Sequence, residues 1–97
     1  MILVERKKES ILITGHALYD DYGKDIVCSA VSSIITTTVN GILTIDENAI
    51  KYEEKNGIKI QVVKEDIVTL KLIDNMMILL KELSNKYPKN IKIKEGV

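Results

Sequence analysis

The sequence predicts an α+β fold: a two-layer domain in ββαββαβ order, with a mostly antiparallel sheet and two helices on one face. Three observations predict it. Short runs alternate apolar and polar residues, as Ile58, Ile60 and Val62 do with Lys59 and Gln61, which suits a sheet wet on one side. Two longer runs repeat apolar residues at helical spacing, each behind an aspartate suited to cap a helix. Asn56-Gly57 lies between two alternating runs, where it specifies a tight hairpin turn.

The elements follow in chain order. Residues 2–6 read as a strand, 7–10 as a polar turn and 11–14 as a second strand, so the chain opens with a hairpin. Gly15 closes that strand, at a place for positive φ or close backbone approach. A loop then runs to residue 24. Gly23, Asp20 and Asp21 favour turns within it. Its composition fits a plain surface connection, while its length in so small a domain points to a mobile lid.

Asp25 caps the first helix and puts Ile26, Val27 and Cys28 in its first turn. Val27, Ala30, Val31, Ile34, Ile35, Val39, Ile42 and Leu43 hold the helical period against a β-branched stretch over 34–39. The helix is expected to reach about residue 44. Ser and Thr fill its other positions instead of charges, which predicts cover on more than one side. Strands over 50–54 and 58–62 flank the Asn-Gly turn. Asp66 caps a second helix over 66–86, stopped by Tyr87-Pro88, and residues 90–94 alternate as a last strand. Leu72, Met76 and Leu79 widen the apolar stripe of the second helix beyond what one sheet face needs, which predicts a homodimer.

Composition bounds the function. Ninety-seven residues make a single domain over 1–97, and 45% hydrophobic content is enough for one core. No stretch reads as long and uncharged enough to span a membrane, and no secretory signal precedes the first strand, so no membrane partner is expected. One cysteine rules out an internal disulfide and suits a reducing, cytoplasmic setting. A net charge of zero gives no general pull toward nucleic acid, and four tyrosines make a poor base-stacking platform. One histidine and one cysteine are too few for a structural zinc site, and no cofactor or metal is expected. The lysines at 86, 89, 92 and 94 read as a solvated strand edge.

The chemistry-bearing residues cluster in one stretch. Cys28 falls in the first helical turn, and His16 lies on the approach to it. A thiol at a helix start and one imidazole are the minimum equipment of a cysteine nucleophile. The first-turn N–H groups lack intrahelical partners and are available to an oxyanion. Asp25 is expected mainly to orient the helix start. Ser32 lies four residues after Cys28, on the same helix face. Leu18, Tyr19 and Tyr22 are apolar enough to contact a substrate. Residue types alone also fit a small core cysteine and an ordinary loop histidine.

Gly15-His-Ala17, Tyr22-Gly23 and the run from Asp25 through Cys28 to Ser32 together resemble the bacterial ribosomal-processing cysteine protease family, called Prp. Length and element order agree with that family over essentially the whole chain. The resemblance implies a cytoplasmic, homodimeric endopeptidase that removes an N-terminal extension from a large-subunit ribosomal protein, cutting after an aromatic, hydrophobic residue. It implies Cys28 as nucleophile and His16 as base, with Gly15, Asp25 and Ser32 in supporting positions. It also implies a flexible loop between the histidine and the cysteine helix. Two other readings stand beside it: a non-enzymatic ribosome-associated interaction module working through the second helix, and a thiol redox sensor at Cys28.

Overall fold

Alternation and capping produce the elements in a computed structural model, which describes residues 1–21 and 23–96. In order they are β1 (Ile2–Arg6), β2 (Ser10–Thr14), α1 (Ile26–Ile45), β3 (Ile50–Glu54), β4 (Ile58–Val62), α2 (Ile67–Lys86) and β5 (Ile91–Glu95). The sheet order is β3-β4-β2-β1-β5. Every neighbouring pair is antiparallel except β1 with β5, which is parallel.

Register explains the two faces. Val4 sits opposite Ile13, Ile11 opposite Ile60 and Ile2 opposite Ile91, and all six side chains are buried beneath the helices. On the other face Glu53 stands opposite Lys59 and Glu5 opposite Lys94, opposite charges on neighbouring strands. The lysines of β5 at 92 and 94 are exposed on an edge strand. The β3–β4 turn uses positive φ at both Asn56 and Gly57, the backbone twist that matches paired strands. A Cβ at Gly57 would lie 2.6 Å from the Ile13 carbonyl oxygen, so the hairpin can press against β2 only with glycine there.

Both helices start at aspartate caps. The Asp25 carboxylate accepts from the Val27 and Cys28 N–H groups, and that of Asp66 accepts from the Thr69 N–H at 2.8 Å. Helix α1 buries Val27, Val31, Ile35, Val39 and Ile42, the stripe set by its period. Sheet and α2 cover it on more than one side, as its lack of charges predicts, while its Ser and Thr face is open in the single chain, with Ser32, Ser33, Thr36 and Thr37 all exposed. The same lack of charge corrects one expectation: α1 is long and apolar enough to cross a membrane by length and composition. Its apolar residues here form the core wall beneath the sheet and against α2.

Helix α2 buries Ile73, Met76, Met77 and Leu80. Met76 is therefore core, not the margin of an outer stripe, while Leu72 is half-buried and Leu79 is 38% exposed. The reason is geometric: α2 meets both α1 and β5, so its buried arc is wider than one sheet face requires. Arg6 pairs with Asp74 and Lys81 with Glu95, tying α2 to both parallel strands. Such surface pairs contribute about 0–1 kcal/mol each, against about 1.5–3 kcal/mol for each large apolar side chain taken out of water. Core burial therefore decides stability. Leu80→Ala is expected to lower the unfolding free energy by about 2–5 kcal/mol in urea titration, since Leu80 is wholly buried, while Ile78→Ala, at a position 54% exposed, should change it by about 0.5 kcal/mol or less.

Candidate active site

The site begins where β2 ends. Gly15 has φ 85°, and a Cβ there would sit 2.2 Å from the Met1 carbonyl oxygen. Only glycine can make that turn so close to the β1 backbone. His16 follows it, exposed. Ala17 then turns inward and is buried. Its N–H points at the Cys28 Sγ at 3.3 Å, and its carbonyl accepts from the Asn90 Nδ2 at 2.9 Å. Leu18 adopts φ 55°, a left-handed conformation uncommon for a large apolar residue.

Asp25 fastens the other end. Its Oδ1 accepts from the Val27 and Cys28 N–H groups, both at 3.0 Å. Its Oδ2 accepts from the N–H groups of Tyr19 at 2.9 Å and Asp20 at 3.3 Å. One carboxylate thus joins the helix start to the preceding loop. The loop, expected as a lid, is pinned at Ala17, Tyr19 and Asp20. The first-turn N–H groups expected to meet an oxyanion are also committed: those of Val27 and Cys28 go to the carboxylate, and that of Ser29 to the Asp25 carbonyl at 3.1 Å. A strong cap and an open oxyanion site compete for the same donors, and the cap takes them.

These segments border a cleft of about 710 Å³. Cys28, His16, Gly15, Asp25 and Ser32 all line it, so five residues dispersed over the motif converge on one space. Cys28 is half-buried at its wall, and Ser32 follows one turn along α1. Ile2, Ile13, Val31, Ile35 and Ile58 give the cleft an apolar floor. Leu18 lines it and is 78% exposed. Tyr19 is placed elsewhere: its ring packs edge-on against Tyr87, with centroids 5.3 Å apart. Tyr22, the third residue expected to contact a substrate, lies outside the described residues.

Sequence reasoning missed Asn90 and the floor residues. Asn90 read only as the start of a strand, and Ile58 and Gly57 only as hairpin. Their parts in the site depend on sheet neighbours far away in sequence, for which the local pattern holds no signal.

Burial works against the ionised Asp25 carboxyl, but four backbone N–H bonds, from Cys28, Tyr19, Asp20 and Val27, outweigh it and hold the group below its usual range. A depressed carboxyl stabilises the fold above its unfolded value and loses that stabilisation as pH falls through the folded one. Protection of the Tyr19 amide from hydrogen exchange is therefore expected to persist at pH 5 and to fall in acid below about pH 4. Asp25→Asn keeps one oxygen for the helix start but turns an N–H₂ toward the loop. It should expose the Tyr19 amide at neutral pH while sparing those of Val27 and Cys28, as read by amide exchange.

Comparison with known proteins covers nearly the whole chain. The family model described as cysteine protease Prp matches residues 1–92. The ribosomal processing cysteine protease Prp of Mycoplasma genitalium is 30% identical, over 98% of this chain and 96% of that protein. A crystal structure of the S. aureus ribosomal processing protease Prp with a covalently linked product peptide superposes with a TM-score of 0.92 at 22% identity, covering 99% of this chain and all of that one. A Streptococcus mutans protein of 25% identity gives a TM-score of 0.80, covering 97% of this chain and 90% of that one. Because the likeness runs through both helices and the whole sheet as well as the histidine–cysteine stretch, this chain belongs to the cysteine protease Prp family.

Proposed function

We propose that this chain is a cysteine endopeptidase that removes an N-terminal extension from a large-subunit ribosomal protein, cutting on the C-terminal side of an aromatic or large apolar residue. One observation carries the reading: Cys28 and His16, the sole cysteine and the sole histidine, face a common cleft with an apolar floor. A floor of isoleucines and valine suits the burial of a large apolar side chain, which gains about 25 cal/mol per Å² removed from water. The Mycoplasma genitalium relative is named for ribosomal processing, and the S. aureus protease has been crystallised with a substrate peptide, which supports a peptide of this kind as the substrate.

In this mechanism His16 takes the Cys28 proton. The thiolate attacks the peptide carbonyl, the amine leaves with a proton from the imidazolium, and water releases the acyl-enzyme. Gly15 sets the approach of His16. Asp25 fixes the helix start that carries the thiol. Ser32 offers a hydroxyl one turn from the sulfur for the substrate backbone. Leu18 borders the apolar floor from the loop side. The enzyme works in the cytoplasm as a homodimer, without a cofactor and without direct contact to nucleic acid or membrane. Exposed Ile78 and Leu79 on α2 and the uncharged outer face of α1 are surfaces that a second copy would cover.

The test is incubation with a peptide spanning the ribosomal extension, followed by mass spectrometry. Cleavage at one bond is expected. Cys28→Ala should abolish turnover and leave the protein folded, because alanine suits a helical position. His16→Ala should slow turnover by about 10²–10⁴-fold. Full cleavage by the Cys28→Ala protein would sink the mechanism, and an intact peptide after incubation with the unmodified protein would sink the assignment. Sedimentation at micromolar concentration should give a dimer; monomer alone would count against that part.

A further inference from the structure

Acyl transfer at Cys28 needs a donor for the oxygen that becomes negative, and the helix start does not supply it. The N–H groups of Val27 and Cys28 are taken by Asp25 Oδ1, and that of Ser29 by the Asp25 carbonyl. Neither Ile26 nor Ala17 is among the residues lining the cleft, but the Ala17 N–H meets Cys28, which is. One backbone N–H does point at the sulfur, that of Ala17, at 3.3 Å. We propose that the Ala17 N–H is the oxyanion donor of this enzyme, and that Asn90 is a positioning residue that aims it. The inference rests on the cysteine protease reading and names a part of that same site.

The electron count shows why one donor serves two stages. As the S–C bond forms, the carbonyl π pair moves onto oxygen, so the negative charge passes from Cys28 Sγ to an oxygen on the carbon now bonded to it. An N–H already directed at the sulfur needs only a small shift to meet that oxygen at about 3 Å. On collapse the pair returns to the carbonyl, the C–N bond breaks and the His16 imidazolium protonates the leaving amine.

The chain that follows this N–H is held at two points. The Asn90 Nδ2 donates to the Ala17 carbonyl at 2.9 Å, across 73 positions of sequence. The Asn90 backbone is itself fixed, accepting from the Ile2 N–H at 2.8 Å and donating to the Tyr87 carbonyl at 3.0 Å. Beyond Ala17 the Tyr19 N–H is held by Asp25 at 2.9 Å. Leu18 lies between the two anchors in its left-handed conformation, which persists where the surroundings fix both neighbours. Substitution can remove the Asn90 side chain from this clamp while its backbone bonds and the helix cap remain.

The test compares two reactions of the same thiolate at a pH where both rates have levelled off. Acylation by an activated ester builds an oxyanion; alkylation by iodoacetamide does not. Both are read on protein shown to be folded by circular dichroism, because an unfolded thiolate is still alkylated. Asn90→Ala and Asn90→Asp both remove the Nδ2 donor, and each should lower acylation kcat by about tenfold or more, with KM and the alkylation rate little changed. Total synthesis with lactic acid in place of Ala17 removes the N–H alone and should lower acylation by about 10²–10³-fold, again sparing alkylation. If acylation and alkylation fall together, or if neither falls, the assignment of the Ala17 N–H is overturned. Cleavage of the ribosomal peptide by the unmodified protein is scored separately, so a wrong donor and a wrong reaction give different results.

Discussion

The Asp25 carboxylate offers about four acceptor positions and receives four backbone N–H groups, two from the helix start and two from the loop before it. These bonds set where Cys28 stands relative to the residues after His16. Without them α1 would still form from its apolar stripe, but its first turn would not be locked to the loop that closes the cleft. Desolvation opposes the arrangement and the four bonds overcome it, which keeps the carboxyl ionised and accepting. A negative group here works against a thiolate nearby, so Asp25 acts through geometry. It also spends the N–H groups that make other helix starts good anion sites.

Stability and chemistry share residues in this small fold. Ile2, Ile13, Val31 and Ile35 are core side chains, and the same four line the cleft. The floor is stiff because it is the packed interior seen from outside. Enlarging it to admit a different side chain would remove core volume, and filling it would strain the sheet. The loop side is under less constraint: Leu18 is largely exposed.

Much of the fold was legible because its signals are local. Alternation marked the strands, Asp25 and Asp66 marked the helix starts, and Asn56-Gly57 marked the hairpin, all within a few residues of what they specify. The strand order and the parallel β1–β5 pair were not legible, since pairing depends on contacts between distant segments. Met76 read as surface because the second helix was weighed against a sheet face alone, without the neighbouring helix that covers it. In the site, the stretch from Gly15 to Ser32 was legible as a near-contiguous motif. Asn90, in the turn before β5, and Ile58, on β4, arrive from elsewhere in the chain and carried no mark. Tyr19 and Leu18 were indistinguishable as apolar loop residues until the left-handed turn at Leu18 sent one to the cleft and the other to Tyr87.

The parallel partnership of β1 and β5 has a consequence for timing. The β1 strand is made before its neighbour β5, with both helices and three strands between them. A chain emerging from the ribosome can pair β1 with β2 and dock α1 long before β5 exists. Until then one edge of β1 stays open, the Ile2 N–H lacks the Asn90 carbonyl, and the Ala17 carbonyl lacks its side-chain amide. Long-range closure of this kind comes late in folding. The cleft is thus finished only when synthesis has passed its final strand, and a half-made copy is a hydrophobic sheet with a thiol beside it, not a working protease.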